Sequence, residues 1–256
     1  MALNFPQKQE IQLKKAPLHE VVCQVKYPPI LRIANELPIE FQDAIRTRFP
    51  GLEIERGVLV KLPSINGADI PHFEPSPKIF RFSTSDGKAS VALTTDFFAV
   101  ATKDYSHWPD FLRDLSMVEK AVREVFQPAY GTRIGLRFIN KFTKKNTGCK
   151  TTQELLTLFR KELICLIQTD AWEELDEMFS QLIVRDNHAK LAIRRGFGSE
   201  QKEPFFLLDF DYFEEGQSGL NNLVPRMERY HSCIYDAFRW CVKDESLARF
   251  QPEMGV

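Results

Sequence analysis

The segment from Tyr130 to Phe142, YGTRIGLRFINKF, constrains the fold more than any other part of the chain. Apolar and polar residues alternate along it, and a period of two is typical of a β-strand with one buried face. The apolar face holds Tyr130, Ile134, Leu136, Phe138 and Phe142. The opposite face holds Arg133, Arg137 and Lys141, with Gly131 and Gly135 between them. This pattern predicts a strand that packs on a core by one side and carries cations on the other.

The order of predicted elements is similar in the two halves of the chain. Each half contains a strand, a helix, a hairpin, a further strand and a long helix. In the first half these are residues 17–27, 36–51, 79–95, 97–104 and 106–126. In the second half they are residues 131–142, 151–167, 178–196, 204–213 and 223–245. We therefore expect an internal duplication, with repeats at 1–128 and 129–256 forming one compact unit.

The element order predicts an α+β fold. Two similar strand-helix-hairpin-strand-helix halves would form a curved antiparallel sheet packed on long helices. Joining the halves edge to edge would hide two sheet edges. The arrangement resembles the duplicated fold of TATA-binding proteins or a pair of helix-grip units, a likeness that concerns the fold and not the function.

Local signals predict where several elements begin and end. Asp86-Gly87 and Asp186-Asn187 are expected at the turns of the two hairpins. Ser106 is expected to cap the long helix of the first half, with Pro109 in the first turn. The first half also has an extra strand at 57–62 and a proline-rich segment at 63–78, which we expect to be a surface loop.

Charge and cysteine content limit the classes of function. The chain has 34 Lys and Arg residues against 35 Asp and Glu residues, whereas proteins that bind nucleic acid through phosphate neutralisation are usually basic. The five cysteines are scattered and form no C-x-x-C motif, which favours reduced thiols over a zinc site. The first residues lack an apolar leader, and no apolar run is long enough to span a bilayer. We expect a cytoplasmic protein without a membrane partner.

Common catalytic and cofactor motifs are missing from the sequence. It contains no G-x-S-x-G, no Walker A and no G-x-G-x-x-G motif. His231 and Cys233 are two apart on a predicted helix, so their side chains diverge, and we expect Cys233 near the core and His231 at its border. The glycines in RRGFGSEQ, residues 194–201, are expected in a loop. We therefore predict no catalytic residue and no cofactor.

Asp209 and Asp211 are the candidate metal ligands. They lie on the same side of a predicted strand, with Glu214 and Glu215 beyond its end, and carboxylates two apart on a strand can share a cation such as Mg²⁺. The alternative is that they form ion pairs with Arg133 and Arg137. We favour the ion pairs, because no third type of ligand is evident nearby.

The cationic strand face raises a second alternative, a groove for nucleic acid or another anion. Its candidate residues are Arg133, Arg137, Lys141, Arg194 and Arg195. The glycines would let a ligand approach the backbone, and Tyr105 and Trp108 could stack on bases. We favour a core position for Trp108. We also expect Arg133 and Arg137 to be partly buried and paired with acids, because unpaired arginines deep in a sheet are costly.

Four segments carry a resemblance to a known group of proteins. They are PLHEVVCQVKYPPI near the start, YSHWPDF at 105–111, RIGLRFIN at 133–140 and the closing helix around 231–238. With these segments the chain resembles a sporadically distributed, uncharacterised prokaryotic family of this length. The resemblance implies a cytoplasmic accessory protein with no assigned reaction, in the context of CRISPR or other defence loci.

Together these observations favour a non-enzymatic module that binds another protein in an accessory or regulatory role. A nucleic-acid or anion binder that uses the Arg133/Arg137 face is the first alternative. A metal-dependent enzyme that uses Asp209 and Asp211 is the second.

Overall fold

The fold is taken from a computed structural model that describes residues 3–55, 58–61, 72–75, 78–169, 171–172, 175–221 and 223–253. The strands are β1 (Leu18–Lys26), β2 (Gly51–Glu55), β3 (Val58–Lys61), β4 (His72–Pro75), β5 (Ile79–Ser83), β6 (Ala89–Leu93), β7 (Phe97–Thr102), β8 (Gly131–Thr143), β9 (Met178–Asp186), β10 (Ala189–Glu200) and β11 (Glu203–Ser218). The helices are α1 (Leu31–Asn35), α2 (Ile39–Ile45), α3 (Trp108–Phe126), α4 (Lys144–Thr147), α5 (Thr152–Leu156), α6 (Lys161–Ile164) and α7 (Leu223–Cys241), followed by a 3₁₀ helix at Asp244–Phe250. The predicted α+β class is confirmed.

Nine strands form one antiparallel sheet. Its order is β2-β5-β6-β7-β1-β8-β11-β10-β9, and β3 and β4 form a separate two-stranded ribbon. The opening strands of the two halves, β1 and β8, pair at the centre, with Cys23 opposite Leu136. Outward from β1 the order is β7, β6, β5 and β2, and outward from β8 it is β11, β10 and β9. On each side, the last strand of that half lies next to the central strand.

The helices cover one face of this sheet. Phe142 of β8 packs against Phe238 of α7, with ring centroids 6.5 Å apart, and against Phe159 at 4.8 Å. In the first half, Phe41 of α2 contacts Phe82 of β5 at 5.4 Å. The even-numbered residues of β8 therefore face the helices. We call the opposite side of the sheet, where Arg133 and Arg137 lie, the polar face.

The buried core consists largely of side chains from the helical face. Ile134, Leu136, Phe138 and Phe142 of β8 are all buried, as the alternation in the sequence predicts. Aromatic rings supply much of the core volume, since the largest fully buried side chains include many phenylalanines. All five cysteines are free, and three of them, Cys23, Cys149 and Cys241, are buried.

The structure differs from the prediction at one helix and at two loops. The helix expected at 151–167 is divided into α5 and α6, because the intervening backbone pairs with the end of α7, where Arg160 N donates to Cys241 O. The loop expected at 63–78 contains β4, and its residues 63–71 and 76–77 lie outside the described ranges. The loop expected at 194–201 lies mostly within β10.

Turns and caps were predicted with mixed success. Gly87 has a φ of 69° in the first hairpin turn, as expected for Asp86-Gly87. The second turn is shifted by one residue, because Asp186 still pairs with Ala189 and the turn is Asn187-His188. The cap prediction for Ser106 is wrong: His107 precedes α3 and its side chain makes no capping bond.

Within the described residues, no helix has both the length and the apolar character needed to cross a bilayer.

Candidate functional site

Five charged side chains form a cluster at the centre of the polar face, which we call the arginine–aspartate cluster: Arg133, Arg137, Arg194, Asp209 and Asp211. Antiparallel pairing places Asp211 opposite Arg137 and Arg194 opposite Asp209. Arg137 donates from Nε and Nη2 to the two oxygens of Asp209, at 2.8 and 2.6 Å. Arg133 Nη2 donates to both oxygens of Asp211, at 2.9 and 3.0 Å. The predicted pairing of the two arginines with the two aspartates is confirmed.

Arg194 links the two pairs. Its Nη1 lies 3.3 Å from Asp209 Oδ2 and its Nη2 lies 3.5 Å from Asp211 Oδ2. The Asp209 side chain is only 2% exposed, and burying a carboxylate without cationic donors would be costly. The hydrogen bonds to Asp209 raise the pKa of Arg137 above its ordinary value. The cluster is therefore a charged network whose members satisfy one another.

The remaining cations of the predicted groove have other partners. Lys141 pairs with Glu200, and its Nζ lies 4.9 Å from the ring centroid of Phe205. Arg195 points to the helical face, where it donates to Ser180 Oγ at 2.8 Å. Arg194 and Arg195, both candidates for the groove, lie on opposite faces of the sheet, because adjacent residues of a strand face opposite sides.

The acids expected beyond the last strand lie within it, because β11 continues to Ser218. Glu214 pairs with Arg229 of α7, and Glu215 pairs with Lys190 Nζ at 2.8 Å. Neither approaches the two aspartates as an additional ligand, and within the described residues no group of three or more His, Cys, Asp or Glu side chains is placed to hold a metal ion. The contacts of Asp209 and Asp211 are therefore those of ion-pair partners.

The glycine gaps are filled by the protein itself. A Cβ atom on Gly135 would lie 2.6 Å from Arg133 Nη1, because the guanidinium group of Arg133 folds over this glycine. The Cζ atom of Arg133 lies 4.5 Å from the ring centroid of Phe213. A Cβ atom on Gly131 would lie 3.0 Å from the side chain of Leu220. The glycines therefore give room to side chains of this chain.

A second site, which we call the aromatic groove, lies on the other side of the sheet. It has a volume of about 830 Å³ and is bounded by the N-terminal segment, the loop before α3, β8 and α7. The residues that matter for its chemistry are Glu10, Tyr105, Trp108, Asn140, Glu228 and His231. The N-terminal segment is held over α7 by Tyr235, whose hydroxyl accepts from Ile11 N at 2.9 Å and donates to Gln9 O at 3.1 Å.

Stacked rings form one wall of the groove. The Trp108 ring is parallel to the His231 ring, with centroids 4.3 Å apart, and the Tyr105 ring meets Phe138 edge to face at 5.6 Å. Trp108 is buried in the core cluster and Tyr105 packs against it, so the favoured core position of Trp108 is confirmed. Both residues nevertheless border the groove.

His231 is buried and neutral. Burial lowers its pKa from 6.5 to about 4, and its Nε2 lies 3.4 Å from the hydroxyl of Tyr105. We expected Cys233 to be the more buried of the two, but His231 is buried while Cys233 is only partly so. Burial also raises the pKa of the Cys233 thiol, which disfavours a reactive thiolate.

The edge strand β9 is a third candidate, and the sequence analysis did not single it out. Phe179, Leu182 and Ile183 are 67%, 58% and 52% exposed. Asp186 and Ala189 flank a two-residue turn and pair with each other, so they exchange both backbone hydrogen bonds. By alternation, the backbone groups of Phe179, Gln181, Ile183 and Arg185 point away from the sheet, and none is hydrogen-bonded to any described residue.

Comparison with known proteins adds no family: no protein-family model and no curated protein sequence matches this chain.

Proposed function

We propose that this protein is a non-enzymatic interaction module that binds an extended segment of another protein along β9. The observation that supports this proposal is the exposed row of unpaired backbone groups on a nine-residue strand with apolar side chains on both faces. An extended peptide can add to such an edge as a further strand, with main-chain hydrogen bonds for affinity and alternate side chains for specificity. Long apolar edges are otherwise a liability that proteins avoid.

The opposite edge of the sheet is shorter and more charged, although Leu52 and Ile54 are exposed there too. Strand β2 has five residues, includes Glu53 and Glu55, and pairs Glu55 with Arg81 at 2.6 Å. Charged, short edge strands resist the addition of another strand. The contrast supports β9 as the docking edge.

The experiment uses affinity purification from the native host with matched variants of the two edges. Ile183→Lys removes apolar surface from β9, and Ile183→Pro also removes an outward-facing N–H that the sheet itself does not use. Ile54→Lys on β2 is the control, because Ile54 is exposed to a similar extent, 45%. We expect the β9 variants to lose a protein that the wild type and the control both retain.

Two results would contradict the proposal. One is retention of the same partners by all variants. The other is a concentration-dependent dimer in analytical ultracentrifugation that Ile183→Lys abolishes, because this would assign the edge to a second copy of the chain. Circular dichroism of each variant would show that the fold is retained.

The finer description of the fold is also a proposal. We infer that the two halves arose by duplication into a TATA-binding-protein-like or helix-grip-like pair. The matched strand order supports this inference. Outward from the centre, β1-β7-β6-β5 and β8-β11-β10-β9 each consist of the opening strand of a half, its last strand and then the two strands of its hairpin. The long helices α3 and α7 each follow the last strand of a half.

The family context remains a proposal of the same kind. RIGLRFIN and the three other segments support membership of the sporadically distributed prokaryotic family, a cytoplasmic location and an accessory role in CRISPR or another defence system. The nucleic-acid and metal alternatives gain less support, because the groups that would contact either ligand already contact one another.

A further inference from the structure

We propose that the aromatic groove binds a small organic ammonium ion, with its charged nitrogen between the carboxylates of Glu10 and Glu228 and its apolar body against the rings of Tyr105 and Phe138. This site is separate from β9 and does not depend on the proposed docking function.

The size of the groove suits a small molecule. Its volume of about 830 Å³ falls in the range of pockets that hold drug-sized ligands. Besides the aromatic rings, its lining includes apolar side chains from the N-terminal segment and α7, among them Leu13, Pro17 and Ile234. A ligand with an apolar body would therefore find apolar surface to pack against.

The charges in the groove are unbalanced. Glu10 and Glu228 approach from the N-terminal segment and from α7, and among the described residues neither pairs with a lysine or an arginine. Among the described residues, the Glu228 carboxylate accepts only the indole N–H of Trp108, at 2.8 Å. His231 Nε2 is 3.7 Å from Glu10, but the lowered pKa of His231 leaves the ring uncharged at neutral pH.

The two carboxylates also influence each other. Partial removal from water, together with the negative charge of Glu228, raises the pKa of Glu10. Two other charged groups at the rim already have partners: Asp104 pairs with Lys88 at 2.7 Å and Lys14 lies 3.9 Å from Glu253. A bound cation would therefore supply the charge that Glu10 and Glu228 lack.

An amide oxygen in the lining suits the same ligand. Asn140 lines the groove and is 5% exposed. Its amide nitrogen donates to Leu208 O at 3.2 Å, while its Oδ1 accepts no hydrogen bond from any described residue. An ammonium group has donors and no acceptor, so it can donate to this free amide oxygen in the lining.

These features distinguish an ammonium ion from other ligands. A phosphate or carboxylate would meet two carboxylates and an amide oxygen, and the one lysine of the described lining, Lys14, already lies 3.9 Å from Glu253. The aromatic rings favour an organic ammonium ion over a hydrated metal ion, since they can pack against its apolar body.

The test uses three probes of the same shape and different charge: phenethylamine, 2-phenylethanol and phenylacetate. Isothermal titration calorimetry of the whole protein at low ionic strength would measure their affinities. We expect phenethylamine to bind at least about tenfold more tightly than 2-phenylethanol, and phenylacetate not to bind.

Variants assign the effect to the groove. Glu10→Gln with Glu228→Gln should weaken phenethylamine at least about tenfold and leave 2-phenylethanol unchanged. Glu40→Gln is the matched control, because Glu40 lies outside the groove and already pairs with Arg32 at 3.1 Å. Absence of phenethylamine binding, equal affinity for the alcohol, or an unchanged affinity in the double variant would each overturn the proposal.

Discussion

The arginine–aspartate cluster and the aromatic groove differ in whether their carboxylates have cationic partners. In the cluster, three guanidinium groups surround two carboxylates, and each carboxylate contacts two of them. In the groove, Glu10 and Glu228 line the same aromatic cavity without an arginine or lysine partner among the described residues. Both sites combine acids with aromatic rings, yet only in the first does each acid have cationic partners.

The difference separates stability from binding. A charged group that is satisfied within the chain lowers the free energy of the folded state and leaves little for a ligand to gain. A group that lacks a partner gains one when a ligand of opposite charge arrives. The cluster, whose arginines the sequence also offered as an alternative ligand face, thus has the contacts of a structural network.

Replacing Asp209 by asparagine should produce the largest effect. The change leaves Arg137 and Arg194 short of a carboxylate inside the sheet, and we expect the free energy of unfolding to fall by about 3 kcal/mol. Urea denaturation followed by circular dichroism measures it.

A double-variant cycle tests the cause of that loss. Adding Arg137→Gln to Asp209→Asn should cost less than the sum of the two single changes, because the pair is lost only once. A loss below about 1 kcal/mol for Asp209→Asn would mean that the cluster is not a structural network, and would restore it as a candidate ligand face.

Acid should affect the groove through His231. The folded-state pKa is lowered to about 4 from 6.5, so the unfolded chain takes up a proton that the folded protein refuses. This contribution to stability is fully present above pH 6.5 and is lost as the pH falls towards 4. Between about pH 7.5 and about pH 4.5 the loss is about 2.5 kcal/mol.

His231→Gln isolates this contribution, since glutamine does not titrate. Urea denaturation of both proteins at both pH values measures it. Between about pH 7.5 and about pH 4.5, the variant should lose about 2.5 kcal/mol less stability than the wild type. An equal loss in the two proteins would show that the histidine is charged in the folded state and would break the contrast between a neutral groove ring and a charged cluster.

The sequence predicted the elements that depend on local pattern. The alternation in YGTRIGLRFINKF placed Ile134 and Phe142 in the core, and the cost of unpaired charge predicted the partners of Arg133 and Arg137. Helix 151–167 was predicted too long because its break depends on a backbone bridge from Phe159 to Val242, far away in the chain.

The groove and the docking edge could not be predicted in this way. Glu10, Asn140 and Glu228 come together only through tertiary packing, and no spacing in the sequence connects them. Phe179 and Ile183 are exposed because β9 lies at the edge of the sheet. The apolar residues of β9 would suit a buried strand equally well, so the sequence alone does not reveal this position. Tyr105, Trp108 and His231 lie in segments that the sequence did single out, so those segments were the available signal.

The same replacement of carboxylate by amide should have the smallest effect at Glu10. Because Glu10 has no cationic partner among the described residues and is repelled by Glu228, Glu10→Gln should change the free energy of unfolding by less than about 0.5 kcal/mol without ligand. Urea denaturation beside Asp209→Asn gives the direct comparison. A loss of stability similar to that of Asp209→Asn would mean that Glu10 has a structural partner. The acids of the groove would then have partners within the chain, as those of the cluster do. A small or favourable change, together with weaker phenethylamine binding, would assign Glu10 to the ligand.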